Sequence, residues 1–343
     1  MAEIAQNILY ITREGVYLHH ELELLKVKEK DETLLKIPLH HLRGITFFGR
    51  GSMSPSLLQK CLQKGIFVTY LNSNGRFLGR LEGSGAGNVL LRKEQILKSE
   101  QEEFSLNVAR AFLAGKIQNA RLNLMRTARE IQEETQAEEL RAIAEKLNKS
   151  LKSLKKAADR DSLRGHEGDA ARAYFSVFDH CITSQKDDFQ FQGRTKRPPR
   201  SRVNALLSFY YSLLTNDCMA ACQSCGLDPF VGFLHRDRPG RPSLALDLVE
   251  EFRAFADRIV LTLINRKQIQ AKDIHERPGS VYSLTDDSRK KVITVYQERK
   301  QDEIHHPLLD IKVRIGELPF YQARVLSRVI RGELPEYIPF LWK

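Results

Sequence analysis

The spacing of apolar residues along this chain changes period near residues 83–88, and that change limits what the chain can fold into. Before it, short runs alternate at period two, at Asn7–Thr12, Gly15–His19, Leu22–Lys26, Thr33–Ile37, Gly44–Phe48, Phe67–Asn72 and Arg76–Leu81, which predicts strands. Asn72-Ser73-Asn74-Gly75 supplies a hairpin turn between the last two, and Pro55–Gln63 reads as one short helix. After the change, Leu106, Ala109, Leu113, Ile117, Ala120 and Leu124 step three or four residues along one stripe. Similar stripes follow at Leu140–Leu154, Leu206–Ala221, Leu248–Leu263 and Tyr321–Ile330. The junction, Gly83-Ser84-Gly85-Ala86-Gly87-Asn88, has the composition of a hinge, and its glycine spacing matches neither a dinucleotide nor a Walker-type loop. The expected architecture is α+β in two domains: a small β-sandwich-like domain over 1–85 and a larger, mostly α-helical domain over 86–343.

Within the helical part, Gly232-Phe233-Leu234-His235 enters a loop carrying Arg236, Arg238 and Arg241, then a helix bearing Asp247 and Glu250. Three-residue spacing puts those two carboxylates on one face, turned away from Leu248, Val249 and Phe252, so both can reach what His235 faces. An imidazole beside two carboxylates outlines a metal site. Upstream, Gly165-His166-Glu167-Gly168-Asp169-Ala170-Ala171 opens a helix that continues through Tyr174, Phe175 and Phe178. Taken singly, each residue has an ordinary explanation. Glu167 would stabilise the exposed amides of a first helical turn. His235 would be a hydrogen-bonded core histidine. Asp247 and Glu250 would be solvated charges paired with Arg253 or Arg258.

Taken together, Glu-Gly-x-Ala-Ala from Glu167, Gly-Phe-Leu-His at 232–235 and Ser-Leu-Ala-Leu-Asp-Leu-Val-Glu-Glu-Phe-Arg at 243–253 resemble, in order, three signature blocks of the CRISPR-associated protein-one (Cas one) family. The strand-rich start and the Arg-Pro-Pro-x-x-x-x-Asn-Ala-Leu-Leu-Ser run beginning at Arg197 resemble that family too, so the likeness covers nearly the whole chain. Ala254 stands where the family often has a proline. The resemblance implies a metal-dependent DNA endonuclease and integrase of CRISPR adaptation, joining a 3′-hydroxyl of a captured fragment to a phosphodiester at the repeat. It also implies that Glu167, His235 and Glu250 hold Mg²⁺ or Mn²⁺, with Asp247 as an acidic neighbour. The implied partners are double-stranded DNA, a second copy docked through the β domains, and the second universal CRISPR adaptation protein. The alternative is a noncatalytic nucleic-acid scaffold whose acidic cluster is structural.

Lys and Arg outnumber Asp and Glu by 54 to 43, and a net charge of +11 with a pI near 9.4 favours polyanionic partners. Arg194, Lys196, Arg197, Arg200 and Arg202, stiffened by Pro198 and Pro199, read either as a solvated loop or as a phosphate clamp. Arg236, Arg238 and Arg241 are better placed to hold a phosphate near the metal, because they follow His235 directly. Cys218-x-x-x-Cys222-x-x-Cys225 has the spacing of an iron–sulfur motif, but it follows a helical stripe with no strand–helix alternation around it, so apolar packing is expected. His305-His306 beside Pro307 reads as a loop. No Gly-x-Ser-x-Gly elbow or Walker loop supports hydrolase-fold or ATP-driven chemistry. With no leader or membrane-span pattern, and with five cysteines that suit a reducing compartment, a cytoplasmic protein is expected.

Overall fold

The computed structural model describes residues 7–72, 75, 77–83, 88–196 and 198–342. Ser73 and Asn74 of the hairpin signal, Ser84–Gly87 of the hinge and Arg197 lie outside the described residues. The chain falls into two compact units, one of Met1–Gly87 with Leu284–Lys300, the other of Asn88–Ser283 with Gln301–Lys343.

The first unit carries β1 (Asn7–Ile11), β2 (Tyr17–Glu21), β3 (Leu24–Glu29), β4 (Glu32–Pro38), β5 (Leu42–Phe48), β6 (Ser52–Met53), α1 (Pro55–Gln63), β7 (Phe67–Leu71) and β8 (Phe77–Leu81). They form two four-stranded sheets, ordered β1-β5-β7-β8 and β4-β3-β2-β6. In the first sheet β1, β5 and β7 run parallel and β8 returns antiparallel to β7. The inward residues of the two sheets, among them Leu18, Leu25 and Val27 from one and Ile11, Ile45, Phe47 and Val68 from the other, share one core. This is the expected sandwich-like layering, and it explains why strands with one wet face alternate so clearly. Helix α1 starts where Ser54 Oγ accepts the Leu57 amide at 3.1 Å with Pro55 in the first position, and it adds Leu57 and Cys61 to the core. Gly44 is required by packing: a Cβ there would lie 2.1 Å from the Phe67 ring. The two-residue β6 gave no alternation to read.

The second unit is mostly helical, with α2 (Val89–Glu100), α3 (Glu102–Glu130), α4 (Glu134–Leu154), α5 (Arg160–Ser176), α6 (Arg202–Ser224) and α7 (Ser243–Asn265). A hairpin of β9 (Ile274–Arg277) and β10 (Val281–Leu284) precedes α8 (Asp286–Gln301), most of which groups with the first unit. The hairpin of β11 (Glu303–His306) and β12 (Ile311–Arg314) leads into α9 (Leu318–Ile330). Helix α7 packs against α3 and α6 and is buried along nearly its whole length, Asp247, Glu250, Glu251 and Asp257 included. Every acid on it must therefore find a partner inside the protein.

Three local expectations are corrected. Asp159 caps α5 by accepting the Ser162 amide at 2.7 Å, so the helix begins at Arg160 and Glu167 sits in its third turn rather than its first. Phe178 lies on a separate 3₁₀ turn, Phe178–Cys181. His305 and His306 end strand β11, where His306 is buried against Tyr321 and Phe340. Helix α7 runs unbroken through Ala254.

Candidate functional site

Asp247 organises the loop that carries His235. Its Oδ2 accepts the Phe233 and Leu234 amides at 2.7 and 3.0 Å, and its Oδ1 accepts the His235 amide at 2.9 Å. The same Oδ1 takes His235 Nδ1 at 2.6 Å. An ionised carboxylate only accepts, so the Nδ1 proton is held on Asp247 and Nε2 is the ring nitrogen left to face another partner. Asp247 is fully buried, so the solvated-charge reading fails: it is a solvent substitute for three backbone amides and one ring. The loop comes close enough for this because residue 232 is glycine; a Cβ there would meet Ser243 Cβ at 2.7 Å and Asp247 Oδ2 at 3.0 Å.

Glu250, one turn further along α7, is 2% exposed and faces two cations. Arg253 grips it with Nε on Oε2 at 2.9 Å and Nη2 on Oε1 at 2.8 Å. Lys116 of α3 reaches Oε2 at 2.8 Å, and its ammonium also donates to Glu167 Oε1 at 2.5 Å. Glu167 of α5 and Glu250 of α7 therefore converge on one nitrogen. Burial alone would raise the Glu250 carboxyl, but Arg253 and Lys116, with a contribution from His235, hold it well below the usual carboxylate range. His235 is thus near enough to act on Glu250 as well. As the side chains stand, no three His, Cys, Asp or Glu among the described residues are grouped as a ready metal cage; the two glutamates are turned toward Lys116 and Arg253.

Beside them lies a cleft of about 580 Å³, part of it open to solvent, lined by Lys116, Glu167, Lys196, Tyr211, Arg253 and Asp257 among others. Its floor is a second buried network: Asp257 accepts the hydroxyls of Tyr174 at 3.0 Å and Tyr211 at 2.6 Å. Burial pushes the Asp257 carboxyl up to about 6, against the pull of those two hydroxyls and of Arg253 and Arg194. The Arg253 guanidinium lies over the Tyr211 ring at 4.6 Å from its centroid. A third network ties down residues 337–340. Glu251 accepts from the Tyr337 hydroxyl, from Gln322 Nε2 at 2.8 Å and from the Phe340 amide at 2.7 Å. Burial pushes the Glu251 carboxyl up to about 7 despite these bonds. Lys116, Glu251 and Asp257 escaped sequence reasoning because none belongs to a signature block by role. The one available signal was an acid or lysine set in an otherwise apolar stripe.

The basic residues divide. Arg194 donates to the Thr195 carbonyl, to Asn204 Oδ1 at 2.9 Å and to Ser208 Oγ at 3.0 Å. Arg202 donates to the Asp188 carbonyl at 3.1 Å and lies over the Tyr282 ring. Both are committed to the protein's own groups. Lys196, Arg200 and Arg238 are exposed, as is Arg236, which pairs with Asp161 at 2.9 Å; Arg241 is half-buried. Cys218 and Cys222 are buried and Cys225 half-buried, and none of the three is in a disulfide. Burial pushes the Cys225 thiol up to about 12, so these residues behave as apolar packing.

The family model described as CRISPR associated protein Cas1 matches residues 9–298. A CRISPR-associated endonuclease Cas1 from Leptospira interrogans is 59% identical over 254 residues, covering 74% of this chain and 100% of that protein. Another from Chlorobaculum tepidum is 48% identical over 338 residues, covering 98% of each chain. A solved Cas1 protein from Thermotoga maritima matches with a TM-score of 0.82 at 24% identity, covering 98% of this chain and 100% of that one. The last likeness is one of fold.

Proposed function

Because the chain belongs to the Cas1 family of CRISPR-associated proteins, we propose that it is a divalent-metal-dependent DNA endonuclease and strand-transfer integrase of CRISPR adaptation. One observation carries the reading: Glu167 and Glu250, from different helices, are drawn to a single cationic centre, with His235 fastened to the helix that bears Glu250. Two carboxylates and one imidazole nitrogen are a donor set suited to Mg²⁺ or Mn²⁺, the nitrogen favouring Mn²⁺. Glu167, His235 and Glu250 would hold the ion, which when bound would polarise a phosphodiester and stabilise charge on the attacking or leaving oxygen.

The chain's own residues do the rest. Asp247 holds the imidazole in the tautomer whose Nε2 can ligate, a support that metal-binding histidines generally need. Arg253 keeps Glu250 ionised inside the helix packing. Lys196, Arg200, Arg236, Arg238 and Arg241 lie on the surface side and would meet phosphates, while Arg194 and Arg202 shape the loop between them. In strand transfer, a fragment's 3′-hydroxyl oxygen forms a new bond to phosphorus as the repeat strand's own 3′-oxygen leaves. With water as nucleophile the same site is a nuclease. Residues 1–85 would dimerise the protein, and the assembly would include the second universal adaptation protein, on double-stranded DNA, in the cytoplasm. Among the described residues no helix is long and apolar enough to cross a membrane.

The test is cleavage and strand transfer on branched DNA with Mn²⁺ or Mg²⁺. Glu167→Ala and His235→Ala should abolish both while DNA binding persists, because neither removes positive charge. Activity retained in those variants, or unaffected by EDTA in the natural chain, would reject the assignment in favour of a scaffold.

A further inference from the structure

Lys116 comes from α3, outside all three signature blocks, yet its ammonium is the group on which Glu167 and Glu250 meet, at 2.5 and 2.8 Å. From this geometry we infer that Lys116 is an internal counterion which a divalent metal must displace, so that its charge sets how tightly the metal binds. The inference rests on the reading of Glu167 and Glu250 as ligands.

Two carboxylates here face two cations, Lys116 and Arg253, and the four charges balance. Glu250 is almost wholly buried, so without cationic partners it would be a bare buried charge. The two cations are not equivalent. Arg253 makes a two-pronged grip on both oxygens of Glu250 and rests on the Tyr211 ring, an arrangement that loses several contacts at once if it opens. Lys116 makes one contact to each carboxylate from a flexible four-carbon stem. An incoming ion that takes Glu167 Oε1 and Glu250 Oε2 competes with Lys116 at both of its contacts and with Arg253 at only the second of those oxygens. The ammonium also has somewhere to go, since Lys116 lines the open cleft that holds Lys196 and Tyr211. The arrangement keeps the two ligand carboxylates facing one another before the metal arrives.

The experiment is Mn²⁺ binding by the full chain without DNA, read by titration calorimetry and by the paramagnetic signal of free Mn²⁺. Lys116→Met removes the competing charge and should tighten Mn²⁺ binding by about tenfold. Lys116→Arg offers a fork that can hold both carboxylates and should weaken it. The Mn²⁺-induced rise in melting temperature should follow the same order, largest in Lys116→Met, smallest in Lys116→Arg. Binding that is unchanged or weaker in Lys116→Met, or tighter in Lys116→Arg, overturns the inference; if Lys116→Met does not fold, the Lys116→Arg result decides alone. Glu167→Gln and Glu250→Gln separate the two levels. Loss of Mn²⁺ binding in both, with no effect of residue 116, sinks only the counterion role. Unaltered Mn²⁺ binding in both sinks the ligand reading and the inference with it.

Discussion

Replacing Asp247 by asparagine tests how much of the site depends on one buried carboxylate. The side chain keeps its volume, so the change isolates charge and acceptor capacity. In the natural protein both oxygens are filled: Oδ2 by the Phe233 and Leu234 amides, Oδ1 by the His235 amide and the His235 ring. An asparagine has one oxygen, so whichever way it turns, its own NH₂ points at two donors that had been satisfied. Each charge-assisted hydrogen bond lost in a buried place costs about 1.5–3 kcal/mol, which gives about 3–5 kcal/mol for the pair after some relaxation. That is a large part of the ~5–15 kcal/mol by which proteins of this kind are stable. The melting temperature should fall by on the order of 10 °C. The His235 tautomer is freed at the same time, so metal affinity should drop by about 10–100-fold. Differential scanning calorimetry and Mn²⁺ titration measure the two effects. A melting temperature within a degree of the natural protein, with unchanged Mn²⁺ affinity, would refute the account of Asp247.

Two further outcomes are expected. Glu251→Ala removes the acceptor for the Tyr337 hydroxyl, the Phe340 amide and Gln322, so residues 337–342 should become open to proteolysis and stability should fall by about 3 kcal/mol or more, as read by limited digestion and urea unfolding. Asp257 gives a pH signature. Its folded value of about 6 lies above its ordinary 3.8, so the folded state holds the proton more tightly between those values and stability from this group declines as pH rises through that window. About two units correspond to about 3 kcal/mol. Asp257→Asn should make that decline shallower, while the decline of the same sign from Glu251 between its ordinary 4.5 and about 7, and the opposite loss from Glu250 as pH falls below its ordinary 4.5, remain in both proteins. Identical pH dependence of the urea midpoint in the two would count against a buried, protonatable Asp257.

The β layer was legible because β2 and β3 alternate dry and wet faces and β5 and β7, buried on both faces, are short apolar runs bounded by turns, and α1 was found to the residue because serine and proline announce its start. The hairpins were not, since their strands are four residues long and too short for alternation to show. Helix α8 hid behind its charge, with only Val292, Ile293 and Tyr296 marking a buried side. At the site, the order of the three blocks drew attention to Glu167, His235 and Glu250, and the sequence offered Arg253 and Asp247 beside them, while Lys116 stayed invisible. Lys116 lies three residues after Leu113 and four before Ala120, flanking a core stripe, and a lysine there reads as a surface residue until its anionic partners are known. Glu167 was misplaced within its helix because Asp159, the true cap, is followed by Arg160 and Asp161 rather than by an apolar run.

The fastening of the 232–235 loop to α7 has a mechanical consequence. His235 and Glu250 ride on one rigid body, joined through Asp247, whereas Glu167 belongs to α5, a helix that packs on α3 and α4. With Glu167, His235 and Glu250 as the proposed ligands, fitting an ion would turn chiefly on the gap between α5 and α7. A larger ion such as Ca²⁺ would be felt first as an outward push on α5, and substitutions that stiffen or loosen the seat of that helix should change which cations are tolerated without touching any donor atom.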